Sequence, residues 1–286
     1  MRGSRRSVTK STLADTARSL KHRAVDGLAR ASAAGANLFR HGNRTVIMPP
    51  QGGVRFGNLL YLWLHAHLRS SVGDPTVVRW VPSMDPWLDV FPELRTLTVL
   101  PDRIRFSDRR AWDSAWLYQR YGVDFGPADL ESFIRHAIAR HIVLLDPDAV
   151  VVNVRRGDYY THFAEKYSFD QAGYVGAAME VMGDAERIVV VSDDKEWCLE
   201  NIGPVVERPT ATVRYADPDP VANFLTLAGS RRIIGTNSTF TYWAAYVAGV
   251  LRSDVEIVMP SFHARLAHGT TAHQLDPRWT TIDGFH

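Results

Sequence analysis

The chain has 286 residues, 45% of them hydrophobic, and a formal net charge of +2, the makeup of a globular protein with room for one large domain or two of ordinary size. Its one cysteine, Cys198, excludes an internal disulfide and every multi-cysteine zinc pattern, reads as a buried thiol, and favours a reducing compartment. No apolar run approaches the roughly 20 residues that cross a bilayer.

Residues 1–44 form a basic leader, with ten Lys and Arg against Asp15 and Asp26. That is about +8 there and about −6 over the rest. The mildly acidic body argues against a nucleic-acid grip spread along the chain, so no nucleic-acid partner is expected. The leader lacks the continuous apolar stretch of a secretory signal, and a cytoplasmic location is expected. Leu13, Ala17, Leu20, Ala24, Leu28 and Ala31 recur at helical spacing among basic residues. Such a segment, flexible or helical, could dock on the body or touch an anionic inner membrane face peripherally.

After the leader, TVIMPPQGGVRFGNLLYLWLHAHLRS reads as strand, Gly-rich turn and helix. Residues 76–81 and 96–100 are further strand candidates, and a helix over 128–145 is opened by Asp129 or an earlier cap. From 149 onward the alternation is regular. Strands at 149–154, 187–192, 212–215, 232–236 and 255–259 are separated by helical patterns at 170–182, from 194, at 219–229 and at 238–249. That order predicts right-handed βαβ crossovers and a parallel sheet in the C-terminal half, with ligands beyond the carboxyl ends of its strands. The expectation is an α/β protein of two Rossmann-like domains facing a cleft, 45–147 and 148–286.

Three polar clusters fall just after strands: Asn153, Arg155, Arg156, Gly157, Asp158 and Tyr159; Ser192, Asp193 and Asp194; and Thr236, Asn237, Ser238 and Thr239 at the start of a helix. Guanidinium forks and a helix N-terminus together make a diphosphate clamp that needs no metal. Each piece has a plainer reading. Ser238, Asp193 and Asp194 could simply cap helices, and paired arginines on a rim are commonly salt-bridged. The two DPD triplets, 146–148 and 217–219, contain Pro and sit where Asp caps turns, so no metal site is assigned to them. His65 and His67 lack a metal-like pattern, and Tyr242, Trp243 and Tyr246 fit helix packing.

The ordered motifs resemble the alpha-1,2-fucosyltransferase family, related to the alpha-1,6 and protein O-fucosyltransferases. GGVRFGNLLYLWLHAHL is similar to the family's GGLGNQ turn and helix with two residues inserted, and VNVRRGDYY to HxRRGDY. VVVSDDKEWCLENI is similar to FSDDxEWC, and NFLTLAGSRRIIGTNSTFTYWAAYV to the IIANSSFSWWGAWL region. The stretch between about 75 and 145 matches poorly. The resemblance implies a GT-B-like enzyme moving L-fucose from GDP-fucose to a glycan or glycolipid hydroxyl, with inversion and no cofactor. It further implies an acceptor-side N-terminal domain and a nucleotide-sugar-binding C-terminal one. Arg155 would hold the diphosphate with Ser238 and Thr239, and Gly53, Gly57 and Asn58 would line the cleft opposite. Arg156, Asp193, Asp194 and Asn237 complete the expected donor site. Asp158, Glu165, Asp193 and His162 are the candidates for proton acceptor. Two departures bear on the base: Asn153 stands where the family usually has His, and Asn223 where it has Asp. Asn offers one acceptor oxygen where Asp offers two, so the pocket either takes guanine with fewer bonds or has moved to another nucleotide. A different nucleotide-deoxysugar, or a sugar-nucleotide-binding protein without catalysis, are the alternatives.

Overall fold

The computed structural model describes residues 37, 40–50, 54–266 and 269–285. The basic leader lies almost wholly, and Gly53 wholly, outside the described residues.

Two parallel sheets form the α/β framework. In the first half β1 (Thr45–Ile47) leads through α1 (Phe56–Ser71) to β2 (Thr76–Arg79), and the sheet order is β3-β2-β1-β4 with β3 Thr98–Val99 and β4 Arg109–Ala111. All its pairings are parallel. α2 (Asp85–Val90) follows β2, and the 3₁₀ turn Pro92–Leu97, opened by Pro92, takes Thr96 and Leu97 from the strand candidate at 96–100. The helix expected over 128–145 is α3 (Pro127–Ala137), opened by the Asp129 carboxylate accepting from the Gly126 N–H at 2.8 Å. It ends early because the chain turns extended at Ile142 and donates from Leu145 N to Gly229 O at 2.9 Å.

The second half follows the expected alternation. β5 (Val150–Val154) is followed by two short helices, α4 (Gly157–Thr161) and α5 (Ala164–Tyr167), then α6 (Gln171–Met182) and β6 (Arg187–Ser192). Next come α7 (Lys195–Asn201), α8 (Gly203–Val206), β7 (Thr212–Tyr215), α9 (Pro220–Ala228), β8 (Arg232–Ile234), α10 (Thr239–Leu251) and β9 (Glu256–Pro260). A β10–β11 hairpin (Phe262–Leu266 and Gly269–Thr271) and β12 (Thr280–Ile282) close the chain and lack a strong apolar signal. The sheet order is β12-β9-β8-β5-β6-β7, with every pairing parallel.

β5 has all five residues buried, as a strand covered on both faces must be. Its two-residue period sorts them: Val150, Val152 and Val154 pack with Tyr174 and Met179 of α6, whereas Val151 joins the cluster on the opposite face. That opposite cluster runs from α1 through α3 into α9 and α10. Phe56 meets Phe224 edge-on at 4.8 Å, Tyr61 meets Trp243 at 5.1 Å, and Phe133 meets Trp243 at 5.7 Å. Burying each such ring stabilises by about 1.5–3 kcal/mol, so the halves share one apolar core. Tyr242, Trp243 and Tyr246 belong to it as packing residues. His65 stacks on Trp116 at 4.6 Å, and His67 bonds Ser132 at 2.9 Å. Cys198 is buried, which pushes its thiol up to about 11.

Candidate active site

The strand order decides which of the polar clusters meet. β8, β5 and β6 are consecutive neighbours, so the clusters that follow them lie side by side on one rim of the sheet. At the end of β5 the Arg155 guanidinium is gripped by two carboxylates: Nη1 donates to Asp193 and Nη2 to Asp158. Asp193 also accepts from the Arg156 N–H at 2.8 Å. The Arg155 carbonyl accepts from Gln171 Nε2 at 2.7 Å, which ties the turn to α6. Gly157 makes the turn possible. Its φ is +28°, and a Cβ there would stand 2.4 Å from Asp193 Oδ2.

A guanidinium carries five N–H donors, and the two carboxylates use one each, so Arg155 keeps further donors while its direction is already set. Arg156 is fixed otherwise. Its guanidinium carbon lies 3.6 Å from the Tyr160 ring centroid and 3.9 Å from that of Trp197, a cation held between two aromatic faces. Tyr160 and Trp197 were not among the sequence candidates, although Tyr160 stands one helical turn beyond Arg156 and Trp197 lies inside the DDKEWC stretch.

The third cluster starts α10, a helix of 13 residues. Ser238 is its N-cap and accepts from Phe240 N at 3.3 Å, while Thr239 donates its hydroxyl to Asn58 Oδ1 at 2.9 Å. The start of α1 therefore abuts the start of α10, and Gly57 permits it: a Cβ there would lie 2.5 Å from the Thr239 carbonyl carbon. Gly57, Asn58, Ser238 and Thr239 thus come together where the two helices start. The N-terminus of α10 follows β8, the strand paired with β5, so it lies on the same rim as Arg155.

Other candidates have structural partners. Asn237 is fully buried, its amide donating to Tyr167 O at 2.9 Å and His263 O at 2.8 Å. It ties α5 and β10 to the rim and has no face left for a ligand. Asp194 caps α7 by accepting from Trp197 N at 3.1 Å. Asn153 is engaged at both ends, donating to Val191 O at 3.2 Å and accepting from the Thr241 hydroxyl. Asn223 differs: it is 6% exposed and donates to Ser192 O at 3.4 Å, but its Oδ1 has no partner among the described residues. Of Asn153 and Asn223, the one whose side-chain oxygen lacks a partner among the described residues is Asn223.

Among the proton-acceptor candidates, Asp158 and Asp193 are committed to Arg155. His162 Nδ1 pairs with Thr161 Oγ1 at 2.8 Å. Glu165, on α5, is exposed and its carboxylate has no hydrogen-bond partner among the described residues. In the DPD triplets Asp219 caps α9, accepting from Val221 N at 2.8 Å, and Asp217 pairs with Lys195 at 2.8 Å. Asp146 pairs with Arg187. Among the described residues no three His, Cys, Asp or Glu side chains gather as a metal site, and no helix is long and apolar enough to cross a membrane.

Galactoside alpha-(1,2)-fucosyltransferase 1 of Homo sapiens is 33% identical to this chain over 105 residues, which is 35% of this chain and 29% of that protein. The same enzyme of Saimiri sciureus is 34% identical over 109 residues, with the same shares. The match therefore spans under a third of the length of these relatives. Solved structures similar to the chain include the E. coli heptosyltransferase WaaC with ADP (11% identity, 84% of this chain, 90% of that one, TM-score 0.42). Another is POFUT1 in complex with GDP (12% identity, 77% of this chain, 75% of that one, TM-score 0.34). The family model described as glycosyl transferase family 11 matches residues 128–283, which takes in all three strand-end clusters and more than half of the sequence, and the chain belongs to that family.

Proposed function

We propose that the chain transfers L-fucose from GDP-fucose to a hydroxyl of a glycan acceptor, with inversion and without a metal ion. The alpha-(1,2) relatives favour that linkage. One observation carries the reading: Arg155, pre-aimed by Asp158 and Asp193, shares a rim with the N-terminus of α10, and that N-terminus meets the first-half helix start at Gly57 and Asn58. In the transfer the bond between the anomeric carbon and the diphosphate oxygen breaks as the acceptor oxygen bonds to the opposite face of that carbon. The acceptor proton passes to a base, and GDP leaves with the added negative charge. Arg155 and the α10 amides stand where that charge grows, which is where fixed dipoles accelerate most. Glu165, the uncommitted carboxylate, is the proposed proton acceptor, and Asp158 and Asp193 are positioning residues.

Turnover of GDP-fucose, followed as GDP release with and without a glycan, tests the reading. Activity is expected to persist in EDTA. Glu165→Gln is expected to lower kcat by about 10²–10⁴-fold with donor affinity unchanged. Loss in EDTA restored by Mn²⁺ would return the leaving-group role to a metal.

A second reading, another nucleotide-deoxysugar donor, is favoured by Asn153, whose amide is spent inside the protein, so that base recognition falls to the Asn223 oxygen alone. One acceptor suits the ring N–H of guanine and equally that of a pyrimidine. The basic leader is proposed to hold the enzyme peripherally at an anionic cytoplasmic membrane face near a lipid-linked acceptor.

A further inference from the structure

A pocket of about 230 Å³ opens between the halves, walled by Tyr118 from the first half, by Lys166 and Tyr167 of α5, and by His263 and Gln274 from the C-terminal segment. It adjoins the donor rim. Tyr167 stacks on Tyr159 at 4.2 Å, and the Arg155 guanidinium carbon lies 5.3 Å from the Tyr159 centroid.

Three features restrict what can occupy this space. Tyr118 and Tyr167 offer flat apolar faces with polar tips, the lining that small-molecule pockets use. Gln274 is 4% exposed and its Oε1 has no hydrogen-bond partner among the described residues, so a buried acceptor waits for a donor such as a hydroxyl. The charge is one-sided: no lining residue is acidic. Arg120 on the wall is already paired with Asp124 at 3.0 Å. Lys166 has its ammonium 4.8 Å over the Tyr167 ring, and no ion pair with a carboxylate involves it among the described residues. His263, buried against the same lysine, has its imidazole pushed down to about 4 and adds a neutral polar surface rather than a second charge. A saccharide supplies the hydroxyl donors and an apolar ring face, and one carrying a negative charge also answers the free lysine.

We propose that this pocket binds an anionic saccharide, a sugar bearing a carboxylate or a phosphate, with Lys166 receiving the charge and Gln274 a ring hydroxyl. Its naming as the acceptor subsite rests on the transferase reading above; the binding itself does not.

The test is direct binding in the absence of donor, by titration calorimetry or saturation-transfer NMR. The probes are methyl β-glycosides of the gluco and galacto series, each as neutral hexoside, hexuronide and hexoside 6-phosphate. At least one anionic form is expected to bind about tenfold or more tightly than its neutral counterpart, and the carboxylate and phosphate arms identify the source of the charge. Lys166→Gln is expected to remove that preference while leaving neutral binding and the unfolding midpoint unchanged. Gln274→Met is expected to weaken all forms alike. Equal binding of neutral and anionic forms, binding by none of them, or a preference that survives Lys166→Gln overturns the proposal. Anionic binding without any GDP-fucose turnover would count against the transferase reading and leave this pocket standing.

Discussion

At the scale of single residues, the site is a matter of which charges are already spent. Arg155 faces two carboxylates rather than open solvent, so its charge is already spent and the trio carries a net charge of about −1 before a donor arrives. Arg155→Ala would remove the donors and leave Asp158 and Asp193 facing a pyrophosphate. We expect a loss of about 2–4 kcal/mol in GDP affinity by calorimetry, and no rescue by Arg155→Lys, because an ammonium cannot reproduce the fork that spans both carboxylates. Unchanged affinity would remove Arg155 from the donor site. Asn223 carries the opposite lesson, an acceptor left over instead of a charge used up. Asn223→Asp adds a second acceptor oxygen at that place, which guanine can use through both N1–H and N2–H and a pyrimidine cannot. The ratio of GDP to UDP affinity should therefore rise, and a constant ratio would mean that residue 223 does not face the base.

At the scale of elements, the determining contact is the approach of α1 to α10. Two helices can start against one another this closely only where one lacks a Cβ, and Gly57 is that place. In Gly57→Ala the new methyl meets backbone rather than the end of a flexible side chain, so a helix must move. Chemical denaturation should record a loss of about 1–3 kcal/mol, and the displaced α10 N-terminus should bind donor more weakly. A variant as stable as the parent with full donor affinity would show that the two helix starts need not touch. The buried Asn237 acts similarly between elements, joining α5 and β10 to the rim through two backbone carbonyls.

At the scale of the whole molecule, the shared core makes stability a property of both halves together, and acid should reveal it. His263 is buried beside Tyr242, and burial, with Lys166 and His273 nearby, lowers its imidazole from 6.5 to about 4. Between those values the unfolded chain binds a proton that the folded chain does not. Stability is therefore complete above pH 6.5 and falls as pH drops toward 4, by about 3 kcal/mol at most from this group. His65 and His67 are also held down by burial and slope the same way. The lowered carboxylates of Asp74, Asp108 and Asp276 lose their contribution only below their ordinary value of 3.8. Urea titrations from pH 7 to 4 should show this slope shallower in His263→Phe than in the parent; equal slopes would place His263 outside the effect.

The chain's own pattern determined a good deal. The β-branched runs and the helical spacing between them specified a parallel sheet, because a strand covered on both faces must be apolar along its length and parallel strands need a crossover between them. With it came the positions of Arg155, Asp193 and Ser238 at strand ends, and the packing roles of Tyr242 and Trp243. The short strands β4, β10 and β12 stayed illegible, since they are held by neighbours rather than by an apolar alternation of their own. Only the tertiary structure could bring the ends of β8, β5 and β6 side by side, because strand order is set by packing between distant segments. It alone separated Asn237 and Asn153, whose amides are consumed within the protein, from Asn223, whose oxygen is not. The pocket around Lys166 is likewise a tertiary product, drawn from three segments whose spacing along the chain carries no sign that they meet.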